Sequence, residues 1–153
     1  MGRRDCGTGV YARSIVYFDT EEDKRKGIIV KTVYTCFCTD TIHEGHLNIV
    51  REAQKYGKVI VGVMSDEAAI RFFRFPTISY EERFALVSEI EGVDRVIRQD
   101  SIDYEDVIRE IHPDYIIHGD NWLEGPLRVI RDGVQTLLDK YGGTIIDVPY
   151  TYN

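Results

Sequence analysis

The 153-residue chain is poor in cysteine, in positive charge and in long apolar stretches. Its three cysteines are an odd number with two only one residue apart, which excludes a disulfide framework and favours a reducing cytoplasm. No apolar stretch reaches membrane-spanning length and no signal peptide is recognisable. The 19 Lys and Arg against 26 Asp and Glu give a net charge of −7, which argues against a nucleic-acid or membrane partner. We therefore expect a cytoplasmic protein.

The overall amino-acid composition is that of one globular domain. Apolar residues make up 43% of the chain and charged residues 29%, which suits an ordinary hydrophobic core. Residues 1–27 are mostly polar and are expected to form a loose N-terminal extension. The domain itself is predicted to span residues 28–153.

Continuous apolar runs alternate with helical patterns along the domain. The predicted strands are residues 28–34, 58–64, 93–97, 114–118 and 144–148. Amphipathic helices are predicted between them, one of which opens on a capping box formed by Ser79 and Glu82. Because strand, helix and strand imply right-handed parallel crossovers, the sequence predicts an α/β fold. We expect a Rossmann-like three-layer sandwich with a five-stranded parallel sheet.

The first strand leads through a short turn into a helix that begins near His43. That turn consists of Cys38, Thr39 and Asp40. Free N–H groups and the helix dipole favour an anion at such a helix start. His43 and His46 are three residues apart, so they share one helix face and can both donate hydrogen bonds to a phosphate. Gly45 has no side chain, which lets the backbone approach the phosphate.

Two other interpretations of this stretch are open. One histidine could cap the helix while the other is a solvated surface residue. Alternatively, the two thiols and two imidazoles of Cys36, Cys38, His43 and His46 could bind zinc, although neither pair has the spacing of a zinc finger.

Residues 37–46 resemble the H-x-G-H signature of the nucleotidyltransferase superfamily, in its cytidylyltransferase branch. Residues 33–151 resemble more closely the cytidylyltransferase domain that is fused to phosphoenolpyruvate mutase in phosphonate biosynthesis. Glycerol-3-phosphate and choline-phosphate cytidylyltransferases are more distant relatives.

This resemblance implies roles for several residues. The catalytic residues would be His43, His46 and Arg74, with the arginine on the triphosphate. The nucleotide-binding residues would be Phe37, Cys38, Thr39, Asp40, Gly45, Arg83, Gly119, Asp120 and Trp122. Arg83 ends a Y-x-x-R motif, and residues 119–122 resemble G-D-D-W with Asn121 in place of one acid. Since parallel sheets bind ligands at the carboxyl ends of their strands, this loop and the His43 turn should face one crevice.

The implied reaction is transfer of CMP from CTP to a small phosphonate or phosphomonoester, with release of pyrophosphate. Mg²⁺ is expected to bridge the phosphates, with Asp40 nearby and no dedicated protein site for the metal. A homodimer and a fused or partner phosphoenolpyruvate mutase domain are also implied. The alternatives are an adenylyltransferase of the same superfamily and a non-catalytic nucleotide-binding module. Relatives continue into a Ser/Thr-rich motif that this chain lacks, so it is expected to be poorly active as it stands.

Overall fold

A computed structural model describes residues 21–27, 30–38 and 41–149 of the chain. The strands are β1 (Thr32–Phe37), β2 (Lys58–Met64), β3 (Arg95–Gln99), β4 (Tyr115–Gly119) and β5 (Thr144–Val148). The helices are α1 (Glu21–Lys26), α2 (Glu44–Ala53), α3 (Asp66–Arg71), α4 (Tyr80–Ser88), α5 (Glu105–Ile111) and α6 (Arg128–Tyr141). Two short 3-10 helices, Asp120–Trp122 and Gly125–Leu127, connect β4 to α6.

The five strands form one parallel sheet in the order β3-β2-β1-β4-β5. The predicted Rossmann-like α/β fold is thereby confirmed. The chain winds outward from β1 to β3 and then returns to place β4 on the other side of β1. The strand order therefore reverses between β1 and β4, which is where such sheets leave a ligand crevice at their carboxyl edge.

Helices cover both faces of the sheet because neighbouring residues of each strand point to opposite sides. On one face Tyr34 of β1 packs in a buried cluster with Ile108 of α5 and Leu138 of α6. On the other face Val33 packs in a second cluster with Val50 of α2. The crevice between β1 and β4 thus has α2 on one side and α5 and α6 on the other.

The strand boundaries agree with the sequence patterns at β2 and β5, lie one residue later at β4 and two residues later at β3, and differ most at β1. The predicted first strand covered residues 28–34, whereas β1 is Thr32–Phe37 and residues 28 and 29 lie outside the described residues. Thr35 and Cys36 continue the strand because each pairs in parallel register with β2. In the predicted extension, α1 is described and residues 1–20 are not. No helix in the described part of the chain has the length and apolar character needed to cross a membrane.

Candidate active site

Helix α2 begins with two histidines that cap each other's backbone. His43 is the N-cap residue, and its Nδ1 accepts the N–H of Gly45 at 3.0 Å. In return, the N–H of His43 donates to Nδ1 of His46 at 3.1 Å, which completes a capping box. A ring nitrogen that accepts an N–H carries no hydrogen, so the proton of each imidazole is on Nε2. Each ring therefore keeps one N–H that it can donate to a ligand.

The environment of the two rings keeps His46 neutral. The centroids of the His43 and His46 rings are 4.2 Å apart, and His46 also packs edge-on against Phe37. Burial, and to a smaller extent the neighbouring His43, lowers the pKa of His46 to about 4. At pH 7 His46 is consequently a neutral hydrogen-bond donor rather than a cation.

A cleft of about 230 Å³ opens between these histidines and the end of β4. It lies at the carboxyl edge of the sheet, where the strand order reverses. The predicted site residues that line it are Phe37, Cys38, His43, Gly45, His46, Arg74 and Gly119. The structure therefore brings together seven residues that the sequence analysis selected from four separate segments.

The charge in the cleft is opposite in sign to that of the chain as a whole. The protein carries a net charge of −7, but no carboxylate lines the cleft among the described residues. Arg74 supplies a positive charge, and the thiols of Cys36 and Cys38 stay protonated because burial raises their pKa. A cleft with one cation and several N–H donors, and without acids, is suited to a polyanion.

Arg74 is directed to the cleft by the way α3 ends. The N–H of Arg74 donates to the carbonyl of Ala69 at 2.8 Å and that of Phe73 to Ile70 at 2.9 Å, which is a Schellman motif. Glycine usually occupies the left-handed position of this motif, but here it is Phe73, with φ of 62°. The guanidinium of Arg74 lies 5.3 Å from the ring centroid of Phe72. The strained turn thus fixes the backbone from which Arg74 reaches the cleft.

Arg83 occupies a different place from the one the resemblance implied. Its side chain is 2% exposed and does not line the cleft. Nη1 donates to the carbonyl of Met64 at 2.8 Å, and Nη2 forms an ion pair with Asp66 at 2.5 Å. Arg83 Nε is the one buried side-chain nitrogen or oxygen without a hydrogen bond in the described residues. In this structure Arg83 fastens α4 to the junction of β2 and α3.

The loop after β4 is held by a buried indole. Trp122 is 1% exposed, and its Nε1 donates to Oδ1 of Asp147 at 2.7 Å. Arg131 donates to both oxygens of the same carboxylate, at 3.2 and 2.6 Å. Burial alone would raise the pKa of Asp147. The hydrogen bonds from Arg131 and Trp122 outweigh burial and hold this pKa below its usual range. Trp122 therefore anchors the loop, and it lies behind the cleft rather than in its wall, while Asp120 begins the 3-10 helix beside it.

His118 is a cleft residue that the sequence analysis did not select. Its ring stacks on Trp122 with centroids 3.9 Å apart and planes inclined by 11°. Nδ1 donates to the carbonyl of Gly119 at 2.7 Å, so Nε2 is the acceptor of the ring. Burial lowers the pKa of His118, which keeps it neutral. Its place directly before Gly119, at the end of a strand beside the crevice, was a signal in the sequence that could have identified it.

Some predictions fall outside the described residues or find no support in them. Thr39 and Asp40 belong to the first group, so the structure does not describe their relation to the cleft. The N–H of Gly45, expected to face a phosphate, is instead bonded to His43. The four side chains of the zinc interpretation do not form a metal-binding group in the part of the chain that is described.

Known proteins resemble this chain in sequence and in structure. A model of the cytidylyltransferase-like family matches residues 34–151. The bifunctional protein HldE of Desulfatibacillum aliphaticivorans is 30% identical over 122 residues, which cover 78% of this chain and 24% of that protein. A FAD synthase of Archaeoglobus fulgidus is 31% identical over 130 residues, which cover 68% and 95% respectively. An ethanolamine-phosphate cytidylyltransferase of Arabidopsis thaliana is 36% identical over 104 residues, which cover 64% and 24%.

The chain thus spans about a quarter of two of these relatives and nearly all of the third. Among solved structures, a lipopolysaccharide core biosynthesis protein from Thermoplasma volcanium is similar, with a TM-score of 0.66 and 27% identity. That match covers 81% of this chain and 99% of the other.

Proposed function

The chain belongs to the cytidylyltransferase-like family, and from that premise we propose that it transfers CMP from CTP to a small phosphonate or phosphomonoester. Pyrophosphate is the leaving group. The observation that carries this proposal is the arrangement of His43, His46 and Arg74. Two Nε2–H donors and one guanidinium surround a cleft that has no carboxylate among its described residues. A triphosphate is the ligand that such a set of donors suits best.

The reaction needs positioning and charge stabilisation rather than a covalent intermediate. An oxygen of the acceptor attacks the α-phosphorus in line, a new P–O bond forms, and the bond to the bridging oxygen of pyrophosphate breaks. No proton has to move, because the attacking phosphoryl oxygen is already ionised. The Nε2–H groups of His43 and His46 donate to the oxygens of the α- and β-phosphates, where negative charge develops. Arg74 neutralises charge on the departing pyrophosphate.

Mg²⁺ is the expected companion of the triphosphate, but the described residues do not fit it as direct ligands. Mg²⁺ prefers oxygen ligands in octahedral geometry, and carboxylates are absent from the described lining of the cleft. The ion would arrive with the nucleotide and be held by phosphate and water. Its chemistry would be charge neutralisation, and the steps assigned to His43, His46 and Arg74 do not depend on it.

The choice of CTP is supported by the family and opposed by one relative. The ethanolamine-phosphate cytidylyltransferase of Arabidopsis is a CTP enzyme by its name, and it is the most identical of the three relatives. The FAD synthase matches along 95% of its own length, and its product carries an adenine nucleotide. An adenylyltransferase is therefore the second candidate. The loop at 119–122 would contact the base in either case.

The test is a pair of calorimetric titrations, one with CTP and one with ATP, combined with a pyrophosphate-release assay. We expect CTP to bind more tightly and to release pyrophosphate with a phosphonate or phosphomonoester acceptor. Tighter binding of ATP, with pyrophosphate released from ATP, would assign the chain to the adenylyltransferases. Failure of both nucleotides to bind would overturn the proposal. His43→Asn serves as the control, because it preserves the cap and removes the Nε2–H donor.

A further inference from the structure

A second, smaller cavity adjoins the cleft on the side of α5 and α6. It has a volume of about 100 Å³, and we call it the inner chamber. Five residues line both the cleft and the inner chamber: Cys36, Cys38, Arg74, His118 and Asn121. The remaining walls are mostly apolar and include the rings of Tyr104 and Trp122. A ligand in the cleft could therefore extend one end into this chamber.

Tyr104 lines the inner chamber and carries a hydroxyl. The residue is 5% exposed, and its ring belongs to a buried cluster. Burial raises the pKa of Tyr104, and the thiols of Cys36 and Cys38, which line the same chamber and also the cleft, raise it further. A hydroxyl in a cavity wall can donate a hydrogen bond to a ligand or accept one from it.

The backbone of Tyr104 is also strained. Its φ is 64°, a left-handed conformation that a bulky aromatic residue rarely adopts, and its side chain does not cap α5. Strain of this kind in a residue that lines a cavity commonly accompanies a function. The left-handed turn directs the ring into the cluster that contains Tyr34, where the two rings meet edge-on at 5.9 Å.

His118 provides the complementary acceptor. Because Nδ1 donates to the carbonyl of Gly119, the free nitrogen Nε2 can only accept. The stack on Trp122 fixes the plane of the ring. Besides the Asn121 amide and the two thiols that it shares with the cleft, the chamber therefore has one hydroxyl, which can donate or accept, and one neutral imidazole, which accepts.

The charges around the chamber exclude an ammonium group. Arg74 is the one charged residue in the described lining, and it would repel a cation. No described carboxylate lines the chamber to pair with an ammonium, and burying an unpaired charge is strongly unfavourable. A cation held by aromatic faces is also disfavoured, because one face of Trp122 is covered by His118.

We propose that the inner chamber binds the end of the acceptor opposite its phosphoryl group, and that this end is short, uncharged and hydroxyl-bearing. A volume of about 100 Å³ accommodates a group of a few non-hydrogen atoms. The acceptor class is then a short hydroxyalkyl phosphonate or phosphate ester, whose hydroxyl bonds to Tyr104 and His118. This inference rests on the proposed function, because it assumes that the phosphoryl end lies in the cleft beside the nucleotide.

The test measures acceptor binding without turnover. The full chain is saturated with α,β-methylene-CTP, which cannot react at the α-phosphorus, and is titrated with 2-hydroxyethyl-, 2-aminoethyl- and ethylphosphonate. We expect 2-hydroxyethylphosphonate to bind about tenfold more tightly than each of the other two. Tyr104→Phe removes one hydroxyl and should abolish that preference over ethylphosphonate while leaving the nucleotide Kd unchanged. Tyr56→Phe, in an exposed tyrosine that lines neither cavity, should change neither the preference nor the nucleotide Kd.

His118→Phe provides a second variant, because a phenyl ring can stack on Trp122 but cannot accept a hydrogen bond. Loss of the hydroxyl preference in this variant supports the assignment even if Tyr104→Phe does not fold. Tighter binding of 2-aminoethylphosphonate, equal binding of all three compounds, or no binding of any of them would overturn the inference. In these outcomes bound nucleotide would leave the proposed function standing, whereas absence of nucleotide binding would overturn both.

Discussion

The Nδ1 atom of His46 accepts the backbone N–H of His43 at 3.1 Å, so each of the two histidines that would hold the phosphates also holds the helix start. Sequence reasoning treated a capping role and a phosphate-binding role as alternatives. The structure makes them compatible, since capping uses Nδ1 and leaves Nε2 for the ligand. The same backbone bonds fix the tautomer that each ring presents to the cleft.

Substitutions at His43 can separate these two roles. His43→Ala removes the cap and should destabilise the fold by about 1 kcal/mol. His43→Asn keeps a capping oxygen and should be close to wild type in stability. Both variants lose the Nε2–H donor, so turnover should fall about a hundredfold in each. Urea denaturation and pyrophosphate release measure the two effects.

His46→Gln is the matched variant for the second residue of the capping box. Glutamine at this position can also accept the N–H of His43, the N-cap residue. Near wild-type turnover in His43→Asn and His46→Gln would show that Nε2 does not contact a reacting phosphate.

The low pKa of His46 predicts a pH dependence of stability. Burial lowers the pKa from 6.5 to about 4 in the folded protein, so the unfolded chain binds more protons between these values. The stability from neutral His46 is therefore fully present above pH 6.5 and is lost as the pH falls towards 4.

NMR titration of the His46 imidazole should give a pKa near 4 without nucleotide and a higher pKa with nucleotide bound, because the phosphates favour the imidazolium. An unchanged pKa in the presence of bound nucleotide would contradict the proposed contact.

Arg83 and Arg74 should respond in opposite ways to the same substitution. Arg83→Leu leaves the carbonyl of Met64 without its partner and breaks the ion pair with Asp66, so it should cost about 2 kcal/mol or more of stability. Nucleotide affinity of the folded protein should not change. Arg74→Leu should leave stability nearly unchanged and weaken nucleotide binding about tenfold or more. Chemical denaturation and calorimetric titration of both variants make the comparison.

If Arg83→Leu instead lost nucleotide affinity at unchanged stability, the phosphate contact implied by the family resemblance would be restored. The structure predicts the opposite, because the guanidinium is enclosed behind the end of β2.

The strand pattern predicted the sheet well because fully buried parallel strands require continuous apolar runs. The capping box at Ser79 and Glu82 was also predictable, since its spacing depends only on local backbone geometry. The buried face of α4 was predicted only in part. The sequence pattern predicts an apolar stripe of Phe84, Leu86, Val87 and Ile90. Val87 is indeed buried. Leu86, however, is 48% exposed, and Arg83, which lies outside that stripe, is buried. Hydrophobic periodicity cannot predict that a charged residue such as Arg83 lies on the buried side of a helix.

The cleft wall at the start of α2 could be predicted because His43, Gly45 and His46 lie within four residues of one another and carry a local signal. The other end could be predicted only in part, because it depends on tertiary structure. Gly119 was selected, and the position of His118 directly before it, at the end of a strand, was a further signal, although the stack of His118 on Trp122 was not predictable. No pattern of spacing marks the left-handed turn by which Tyr104 enters the inner chamber.

Phe73 offers a test of the turn that positions Arg74. The Schellman motif requires a left-handed residue, and an L side chain there costs on the order of 1 kcal/mol relative to glycine. The side chain is 83% exposed, so little buried contact offsets this cost. Phe73→Gly should therefore be more stable than Phe73→Ala by about 1 kcal/mol in urea denaturation. Phe73→Ala removes the same aromatic ring but retains the strain, which makes it the matched control.

Turnover should be retained in Phe73→Gly, because the backbone that carries Arg74 keeps its two hydrogen bonds to Ala69 and Ile70. Glycine also gives the unfolded chain more freedom, which reduces the gain over the wild type. The same term enters the comparison with alanine, which is nevertheless the sharper one because neither variant carries the aromatic ring. A glycine variant no more stable than the alanine variant would mean that residue 73 does not adopt the left-handed conformation. In that case the Schellman motif would not be what directs Arg74 to the cleft.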